Sequence, residues 1–329
     1  MARKVLFYET GPAEVLKIVE VPTPEPGAGE IRIRVKAIGL NRAEINFRAA
    51  TYGPPPAFPA QLGLEASGEI DAVGSGVTGL GIGDAVSVIA TFGYTQYGLY
   101  GDLVLAPARS VVKHPANLSW EEAAASWMPF TTAWTGLIDL AKLTSKDTVL
   151  ITAASSSVGL AAIQVTRREG AIPIALTRRS RKADALLQAG AAHVIATEEK
   201  DVEEEVKRLT DGKGARVVFD AVGGPSFAKL VSSTSMDGLV LTYGVLSKQM
   251  NSFPAVQVFR RRLTIRGFAA NTGLDDNARL DALKSYILPG LASGAFKPRI
   301  AKTFPFERIV DAHRYLESNE QFGKVVVTV

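Results

Sequence analysis

The chain has 329 residues, more than one compact core usually holds, so its length predicts two domains. With 47% hydrophobic and 21% charged residues and a formal net charge of only +4, the composition excludes wholesale disorder, and the mostly scattered lysines and arginines do not suggest a nucleic-acid-binding protein. The chain contains no cysteine, which excludes disulfides, thiolate catalysis and cysteine-ligated zinc.

The start of the chain has the pattern of neither a secretion signal nor a membrane segment. Glu9, Pro12 and Lys17 interrupt the first twenty residues, so a signal peptide with a long apolar core is not indicated. No run of the sequence approaches the ~18 apolar residues that a membrane-spanning helix needs. We therefore expect a cytoplasmic enzyme that acts on a small molecule and has no membrane partner.

The first third of the chain predicts a small β-barrel. Residues 31–37 alternate apolar and charged side chains, which is typical of a strand with one buried face. Residues 38–60 are irregular and place Tyr52 just before a proline-rich stretch, so they predict a stiff loop. Short strands separated by glycines follow between residues 63 and 113, which favours a barrel.

A second domain is predicted to begin near residue 119. Ser119 and Glu122 form a capping box that starts a helix, and another helix is predicted from Pro129 toward Leu143. From residue 147 onward the predicted strands are 148–153, 172–177, 192–196, 216–221 and 238–243, and the helices between them are 158–168, 181–189, 199–209 and 225–233. This alternation predicts a doubly wound parallel sheet whose ligand lies at the carboxyl ends of its strands.

A serine-rich turn stands between the first strand of this sheet and its helix. Val149–Ile151 is an apolar run typical of a covered parallel strand, and Gly170 suits the end of the helix. A helix that starts directly after a tight turn offers free N–H groups and partial positive charge to a diphosphate. The predicted contacts at the turn are Ser155, Ser156, Ser157 and Val158. Since the usual G-x-G-x-x-G is missing, an ordinary serine-capped turn without a ligand is the alternative.

The residues after the next strand discriminate between the two nicotinamide dinucleotides. A carboxylate about 20 residues past the turn would bind the ribose 2′-hydroxyl of NADH, whereas a basic residue accommodates the 2′-phosphate of NADPH. The sequence from Thr177 to Lys182 is TRRSRK and contains no carboxylate. We therefore predict NADPH, with Arg178 and Lys182 on the 2′-phosphate. The alternative is that these cations only cover an exposed turn.

The end of the chain is predicted to return to the first domain. Residues 263–268 leave the nucleotide-binding domain, so strand 238–243 becomes the edge of its sheet. Helices are predicted at 276–294 and 308–317, and a last strand at 324–329. Because the β-rich N-terminal part needs partners, we expect the last strand to pair with it.

In this order of elements the chain resembles the medium-chain dehydrogenase/reductase superfamily over essentially its whole length. The residues that carry the resemblance are Gly63-Leu64-Glu65, Val73–Val77, Gly83-Asp84, Ala153–Gly159, Asp220–Gly224 and Gly323-Lys324. The turn is similar to the A-x-x-G-x-x-G of the zinc-free quinone oxidoreductase and enoyl reductase branch, with Ser156 in place of the middle glycine. The resemblance implies an α/β fold in which a Rossmann doubly wound parallel sheet (123–265) is inserted into a GroES-like β-barrel catalytic domain (1–122 and 266–329).

The zinc ligands of the related alcohol dehydrogenases are missing from this chain. Those enzymes carry a cysteine near position 39 and a Gly-His-Glu further on, where this chain has Gly39-Leu40-Asn41 and Gly63-Leu64-Glu65. Zinc would then depend on carboxylates and distant histidines, against its preference for nitrogen and sulfur ligands. We predict no metal, and expect His114, His193 and His313 to be structural.

The resemblance implies an NADPH-dependent, metal-independent oxidoreductase that transfers hydride to a quinone or an α,β-unsaturated carbonyl. The cofactor carries the difficult chemistry, so the protein must orient the substrate and stabilise negative charge on its oxygen. Tyr52 matches a substrate-pocket tyrosine of the family and is the expected donor, although a plain surface tyrosine is the alternative. The alternative functions are alcohol/carbonyl interconversion with NADP(H) and NADPH binding without catalysis.

The resemblance also implies further contacts with the cofactor. Asn41 matches an asparagine on the cofactor or substrate, and Thr132 matches a threonine near the nicotinamide, but either could simply cap its own helix. Thr197 replaces a tyrosine that often flanks the adenosine. The remaining residues expected on the cofactor are Gly244, Val245, Phe268, Ala269 and Lys324. A homodimer is implied by the resemblance alone, with the edge strand 238–243 as its expected interface.

Overall fold

The computed structural model describes residues 1–51, 55–93 and 95–329. This part of the chain forms two compact units. The first unit comprises Met1–Met128 and Gly273–Val329, and the second comprises Pro129–Thr272. The second unit is therefore an insertion between two segments of the first.

The N-terminal segment of the first unit consists mainly of short strands. In chain order its elements are β1 (Ala2–Phe7), β2 (Lys17–Val21), β3 (Glu30–Gly39), α1 (Arg42–Arg48), β4 (Ala60–Gln61), β5 (Ala66–Val73), β6 (Ala85–Val88), β7 (Leu103–Pro107), β8 (Val111–Lys113) and α2 (Trp120–Ala124). Every second side chain of β3 from Ile31 to Val35 is buried, as the alternating sequence predicts. Strands β1, β2 and β4 form a separate antiparallel sheet.

The second unit is a parallel sheet with helices between its strands. Its elements are α3 (Trp127–Ala133), which begins two residues before the unit and continues as a π-helix at Trp134–Leu140, then β9 (Thr148–Ile151), α4 (Ser157–Arg168), β10 (Ile172–Thr177), α5 (Ala183–Gln188), β11 (His193–Ala196), α6 (Val202–Leu209), β12 (Ala215–Asp220), α7 (Phe227–Ser232), β13 (Thr234–Thr242), α8 (Ala255–Arg261) and β14 (Thr264–Gly267). The strand order is β11-β10-β9-β12-β13-β14, with all neighbours parallel. This confirms the predicted doubly wound sheet.

The centre of the sheet explains why its strands lack polar alternation. Leu150 of β9 pairs with Ile174 of β10 on one side and with Val218 of β12 on the other. All three side chains are completely buried, because helices cover both faces of a parallel sheet. The apolar run at residues 149–151 therefore marks the middle of the sheet, which fixes the position of the turn that follows it.

One strand of this sheet differs from the prediction. The sequence predicts that 238–243 is the edge strand of the sheet and that the chain leaves the domain at residues 263–268. In the structure Thr264–Gly267 pairs in parallel with β13, so β14 is the edge strand. The strand was missed because it is only four residues long and mostly exposed, so it lacks the buried apolar run of its neighbours.

The C-terminal segment completes the first unit. It contains α9 (Asn277–Ala292), β15 (Ile300–Pro305), α10 (Ile309–Glu317) and β16 (Lys324–Thr328). Strand β16 pairs antiparallel with β3, with Val326 opposite Gly39, and β15 lies parallel to β16. This pairing places the start of β16 beside the residues that follow β3, although the two strands lie at opposite ends of the chain.

Candidate functional site

The serine-rich turn joins β9 to α4 at the carboxyl edge of the parallel sheet. Ser156 is the N-cap of α4, and its hydroxyl accepts a hydrogen bond of 3.0 Å from the backbone N–H of Gly159. A Cβ atom on Gly159 would lie 2.6 Å from the Cα of Ala154, so the helix packs on the turn too closely for a side chain at this position. The third glycine of a dinucleotide-binding turn has this same function.

The first turn of α4 fits the diphosphate of a dinucleotide. Helix α4 has 12 residues, so its aligned peptide dipoles leave partial positive charge at its start. The Ser156 cap satisfies the N–H of Gly159, and within the described part of the chain no acceptor is found for those of Ser157 and Val158. The predicted contacts Ser155, Ser156, Ser157 and Val158 are all half-buried at this one helix end.

The basic residues after β10 have different surroundings. The Nζ of Lys182 lies 3.2 Å from the Oγ of Ser155, so this ammonium group stands directly at the turn. The guanidinium of Arg179 pairs with Glu198 at 2.8 Å, whereas Arg178 is exposed. The sequence predicts that residues 178–182 are one group of cations. It does not reveal that Glu198, which follows β11, pairs with Arg179.

Two predicted threonines occupy different parts of the second unit. Thr132 is buried inside α3, which begins at Trp127, so the alternative that Thr132 caps its own helix is wrong. Thr197 follows β11, and its N–H donates to the carbonyl oxygen of Thr177 at 2.8 Å. Thr197 therefore lies at the carboxyl edge of the sheet, next to the end of β10 and to Arg178.

The four residues predicted to line the nicotinamide follow the neighbouring strands β13 and β14. The ring of Phe268 lies 5.8 Å from that of Tyr243, centroid to centroid. A Cβ atom on Gly244 would lie 2.8 Å from the carbonyl oxygen of Ala221, so the backbone of this segment packs directly against the end of β12. The structure thus places four predicted residues just after the carboxyl ends of these two strands: Gly244, Val245, Phe268 and Ala269.

Asp220 organises the turn after β12, a role that the sequence did not assign. Its carboxylate accepts hydrogen bonds from the Thr152 hydroxyl at 2.7 Å and from the N–H groups of Val222 and Gly223 at 3.0 and 2.9 Å. Burial raises the pKa of Asp220, and these three donors oppose the rise. The signal was the Asp220–Gly224 motif, in which a carboxylate directly precedes a glycine-rich turn.

Tyr243 carries a buried hydroxyl that, among the described residues, has no hydrogen-bond partner. Its ring stacks on Phe219 with centroids 4.3 Å apart, and burial raises the pKa of its phenol. Leaving a hydroxyl unsatisfied costs about 1–3 kcal/mol, so Tyr243→Phe is expected to raise the free energy of unfolding by about 1 kcal/mol in urea titrations without cofactor. Tyr97→Phe is the control: it should lower that free energy, because the Tyr97 hydroxyl donates to Glu30 at 2.7 Å. A loss of stability in Tyr243→Phe would contradict this interpretation.

A second group of predicted residues meets in the first unit, at the start of β16. The Lys324 ammonium donates to Glu65 at 2.5 Å and to the Asn41 side-chain oxygen at 2.7 Å. The side chains of Lys324 and Glu65 are 1% and 0% exposed. Burial raises the pKa of Glu65 and the Lys324 charge opposes that rise. The structure also places Asn41 at the N-cap of α1, where its N–H donates to Glu44 at 2.7 Å.

A buried chain of polar groups that the sequence did not reveal continues from Glu44. Its carboxylate accepts from the Tyr100 hydroxyl at 2.7 Å, and Tyr100 lies 3.2 Å from the Nε2 of His313. Arg48 donates to the Nδ1 of His313 at 2.8 Å and pairs with Glu317. Of these residues only Glu44 could be recognised from the sequence, because Asn41 and Glu44 have the spacing of a capping box.

One predicted catalytic residue cannot be placed. Tyr52 lies outside the described residues. In residues 1–51, 55–93 and 95–329, no three histidine, aspartate or glutamate side chains are grouped so that they could hold a metal ion.

Comparisons with known proteins give a consistent picture. The alcohol dehydrogenase GroES-like domain model matches residues 27–116, and the zinc-binding dehydrogenase model matches residues 157–284. Quinone oxidoreductase 1 of Escherichia coli is 31% identical over 98% of this chain and 98% of its own. Two solved structures superpose closely: an NAD-dependent alcohol dehydrogenase (34% identity, TM-score 0.91, 99% of each chain) and the Escherichia coli quinone oxidoreductase complexed with NADPH (29% identity, TM-score 0.90, 99% of this chain and 100% of that one).

Proposed function

Because the chain belongs to the medium-chain dehydrogenase/reductase superfamily, in its zinc-free branch similar to quinone oxidoreductases, we propose that it is an NADPH-dependent enzyme that reduces a quinone or an α,β-unsaturated carbonyl without a metal ion. The family predicted from the sequence is thereby confirmed. The observation that carries the cofactor assignment is the Lys182 ammonium at the turn that caps α4. A cation beside a helix N-terminus, where Gly159 lets the helix pack closely on the turn, suits a phosphorylated dinucleotide.

The proposed roles divide between the two units. In the second unit, Ser155–Val158 would hold the diphosphate, Arg178 and Lys182 the 2′-phosphate, and Thr197 the adenosine end. Thr132 and the residues after β13 and β14 would line the nicotinamide. When bound, NADPH supplies the hydride. In the first unit, Tyr52 and Asn41 are the proposed donors to the substrate oxygen that becomes negative as hydride arrives.

Turnover in the presence of a chelator tests the proposal. We expect NADPH oxidation with 1,4-naphthoquinone and with a simple enone, both unaffected by EDTA. Hydride addition to either acceptor leaves negative charge on oxygen, which hydrogen-bond donors can stabilise without a metal. Absence of turnover on both acceptors, or activity that is lost in EDTA and restored by zinc, would contradict it.

Arginine substitutions test the choice of cofactor. In Arg178→Ala, NADPH binding is expected to weaken about tenfold with NADH binding unchanged, because only the 2′-phosphate loses a charged partner. Arg179→Ala is the matched control, since Arg179 already pairs with Glu198 and should contribute little. Dissociation constants from cofactor fluorescence give the comparison. Equal losses for both cofactors in Arg178→Ala would contradict the assignment.

A second candidate function is interconversion of alcohols and carbonyls. It is favoured by the similarity to an NAD-dependent alcohol dehydrogenase, which is 34% identical to this chain. Oxidation of secondary alcohols with NADP⁺, without activity on enones or quinones, would establish it. Tight NADPH binding without turnover on any electrophile would instead indicate a protein that binds the nucleotide but does not use it.

We also propose a homodimer that forms through the exposed edge of the second unit. In the part of the chain that the structure describes, β14 has a neighbouring strand on one side only, and Phe259 and Val256 of the preceding helix α8 are 80% and 58% exposed. Phe259→Glu is therefore expected to shift the mass measured by light scattering from dimer to monomer. A monomeric wild-type protein would contradict the proposal.

The cellular location proposed for this enzyme is the cytoplasm. Among the described residues, the structure contains no helix long and apolar enough to cross a membrane. The proposed substrates are small molecules and the cofactor is an intracellular reductant, which is the basis for this proposal. Fractionation of cells that express the full chain would test it, and recovery with the membrane fraction would contradict it.

A further inference from the structure

The ion pair between Lys324 and Glu65 is completely buried in the first unit. Lys324 is the first residue of β16 and Glu65 lies just before β5, so the pairing of both strands with β3 brings them together. Glu65 also accepts from the N–H of Met128 at 3.0 Å. Gly39 makes room for the pair, since a Cβ atom there would lie 2.8 Å from the Cε of Lys324.

Stability alone does not account for this pair. Removing two charges from water costs several kcal/mol per ion, and apolar residues of similar volume are often equally stabilising. The pair therefore needs a second reason, and the geometry offers one. The Lys324 ammonium has three hydrogens, and it donates one of them to the side-chain oxygen of Asn41 at 2.7 Å.

This contact fixes the orientation of the Asn41 amide. Its oxygen faces the ammonium, and its nitrogen donates to the carbonyl oxygen of Gly39 at 3.0 Å. A flipped amide would place its NH₂ group against the charged Lys324 and its oxygen against another oxygen, so the network allows only one orientation. The amide has one further N–H, for which the described residues provide no acceptor.

We propose that Lys324 and Glu65 are positioning residues that fix and polarise the Asn41 amide, so that its remaining N–H donates to the substrate carbonyl oxygen as negative charge develops there. This rests on the proposed function and replaces the direct cofactor contact implied for Lys324 by resemblance. An ammonium on the amide oxygen draws electron density from the amide nitrogen, which strengthens its N–H as a donor. Glu65 neutralises Lys324, so the site gains polarisation without an isolated buried charge.

Nuclear magnetic resonance of the Asn41 side chain tests the positioning without any turnover. In asparagine-selectively ¹⁵N-labelled full-length protein, Asn41→Asp identifies the signal by its loss. In the wild type we expect the Asn41 NH₂ signals downfield of those of the exposed Asn271, with slowed hydrogen exchange. In the double variant Glu65→Gln/Lys324→Gln, which keeps the pair neutral, both features should shift toward those of Asn271. Lys113→Gln, which removes an exposed lysine of the same unit, should change neither.

Kinetics of the same variants test the contribution to the reaction. The double variant is expected to lower kcat with 1,4-naphthoquinone about tenfold while the NADPH dissociation constant stays within about twofold, because only a contact that strengthens in the transition state is weakened. A residue with a merely structural role would not change the position of the amide signal and kcat together. Lys113→Gln should leave both parameters at wild-type values.

The outcomes separate this proposal from the proposed function. Asn41 signals in the wild type that match those of Asn271, or that do not move in the double variant, overturn the positioning role whether or not quinones are reduced. A tenfold loss of NADPH affinity with unchanged kcat would return Lys324 to the cofactor and also overturn it. A wild type that binds NADPH but reduces no electrophile contradicts the proposed function and removes the substrate contact from Asn41, even if the amide signals behave as expected.

Discussion

Replacing Gly159 with alanine is expected to weaken NADPH binding about a hundredfold while the protein remains folded. The added methyl carbon would lie 2.6 Å from the Cα and 2.7 Å from the carbonyl carbon of Ala154, and 2.7 Å from the carbonyl oxygen of Ala153. These are backbone atoms, so no side-chain rotation relieves the clash and the turn itself must move. A hydrogen bond to a charged group contributes about 1.5–3 kcal/mol, so weakening the bonds from the N–H groups of this turn to the diphosphate can lower the affinity about a hundredfold.

The opposing effect of this substitution is smaller. Alanine favours a helix over glycine by about 1 kcal/mol, and Gly159 is the third residue of α4. Overpacking against backbone typically costs about 1–3 kcal/mol, so the clash prevails and distorts the end of the helix that would hold the diphosphate. The loss should therefore appear in binding rather than as unfolding of the unit, since the core around Leu150 is not touched.

Calorimetric titration with NADPH and thermal melting without cofactor give the two readings for Gly159→Ala. Gly81→Ala is the control, because a Cβ atom at that position meets nothing within 4 Å. It should leave both the affinity and the melting temperature unchanged. If Gly159→Ala binds NADPH as tightly as the wild type, the turn before α4 does not hold the dinucleotide and the proposed cofactor site is wrong.

The parts of this protein that could be predicted from the sequence are those whose signals are local. The turn before α4 was readable because the buried strand, the serine cap and the helix follow one another within about 20 residues, so that one pattern of periodicity contains them all. The same reasoning yielded the Asn41 helix cap as an alternative. It failed at β14, where four mostly exposed residues give no apolar run to detect.

The cluster around Lys324 could not be predicted from local patterns. Lys324 is separated by 283 positions from Asn41 and by 259 from Glu65, and only the pairing of β16 with β3 brings these side chains together. The sequence did indicate that the last strand returns to the first domain, but not its register. A shift of one residue would turn Lys324 to the opposite face of the sheet, so this contact depends on the register itself.

Two buried titratable groups of the first unit should respond to pH with opposite signs. Burial raises the pKa of Glu44 to about 7, against the opposing effects of Tyr100, backbone N–H groups and Lys324. Burial, together with the charges of Arg48 and Arg42, lowers the pKa of His313 to about 3. Folded Glu44 therefore keeps a proton that the unfolded chain loses above about pH 4.5, and folded His313 stays neutral where the unfolded chain is protonated below about pH 6.5.

The sign of each contribution follows from where the proton is bound. The Glu44 contribution to stability is fully present below about pH 4.5 and is lost as the pH rises toward 7, because the folded state holds the additional proton. The His313 contribution is fully present above about pH 6.5 and is lost as the pH falls, because only the unfolded state takes up the proton. Between pH 7 and pH 5 each amounts to about 2 kcal/mol, so the two nearly cancel in the wild type.

Removing one group at a time should expose the other. On acidification from pH 7 to pH 5, and measured relative to the double variant, which retains the titration of all other groups, His313→Gln is expected to gain about 2 kcal/mol in free energy of unfolding and Glu44→Gln to lose about 2 kcal/mol. Urea unfolding at several pH values within this window measures these slopes. The slope is the decisive quantity, because Glu44→Gln also weakens hydrogen bonds to Leu64 and Tyr100 and so lowers stability at every pH. Equal slopes in the two single variants would show that Glu44 and His313 do not hold the protonation states that their burial and neighbours impose.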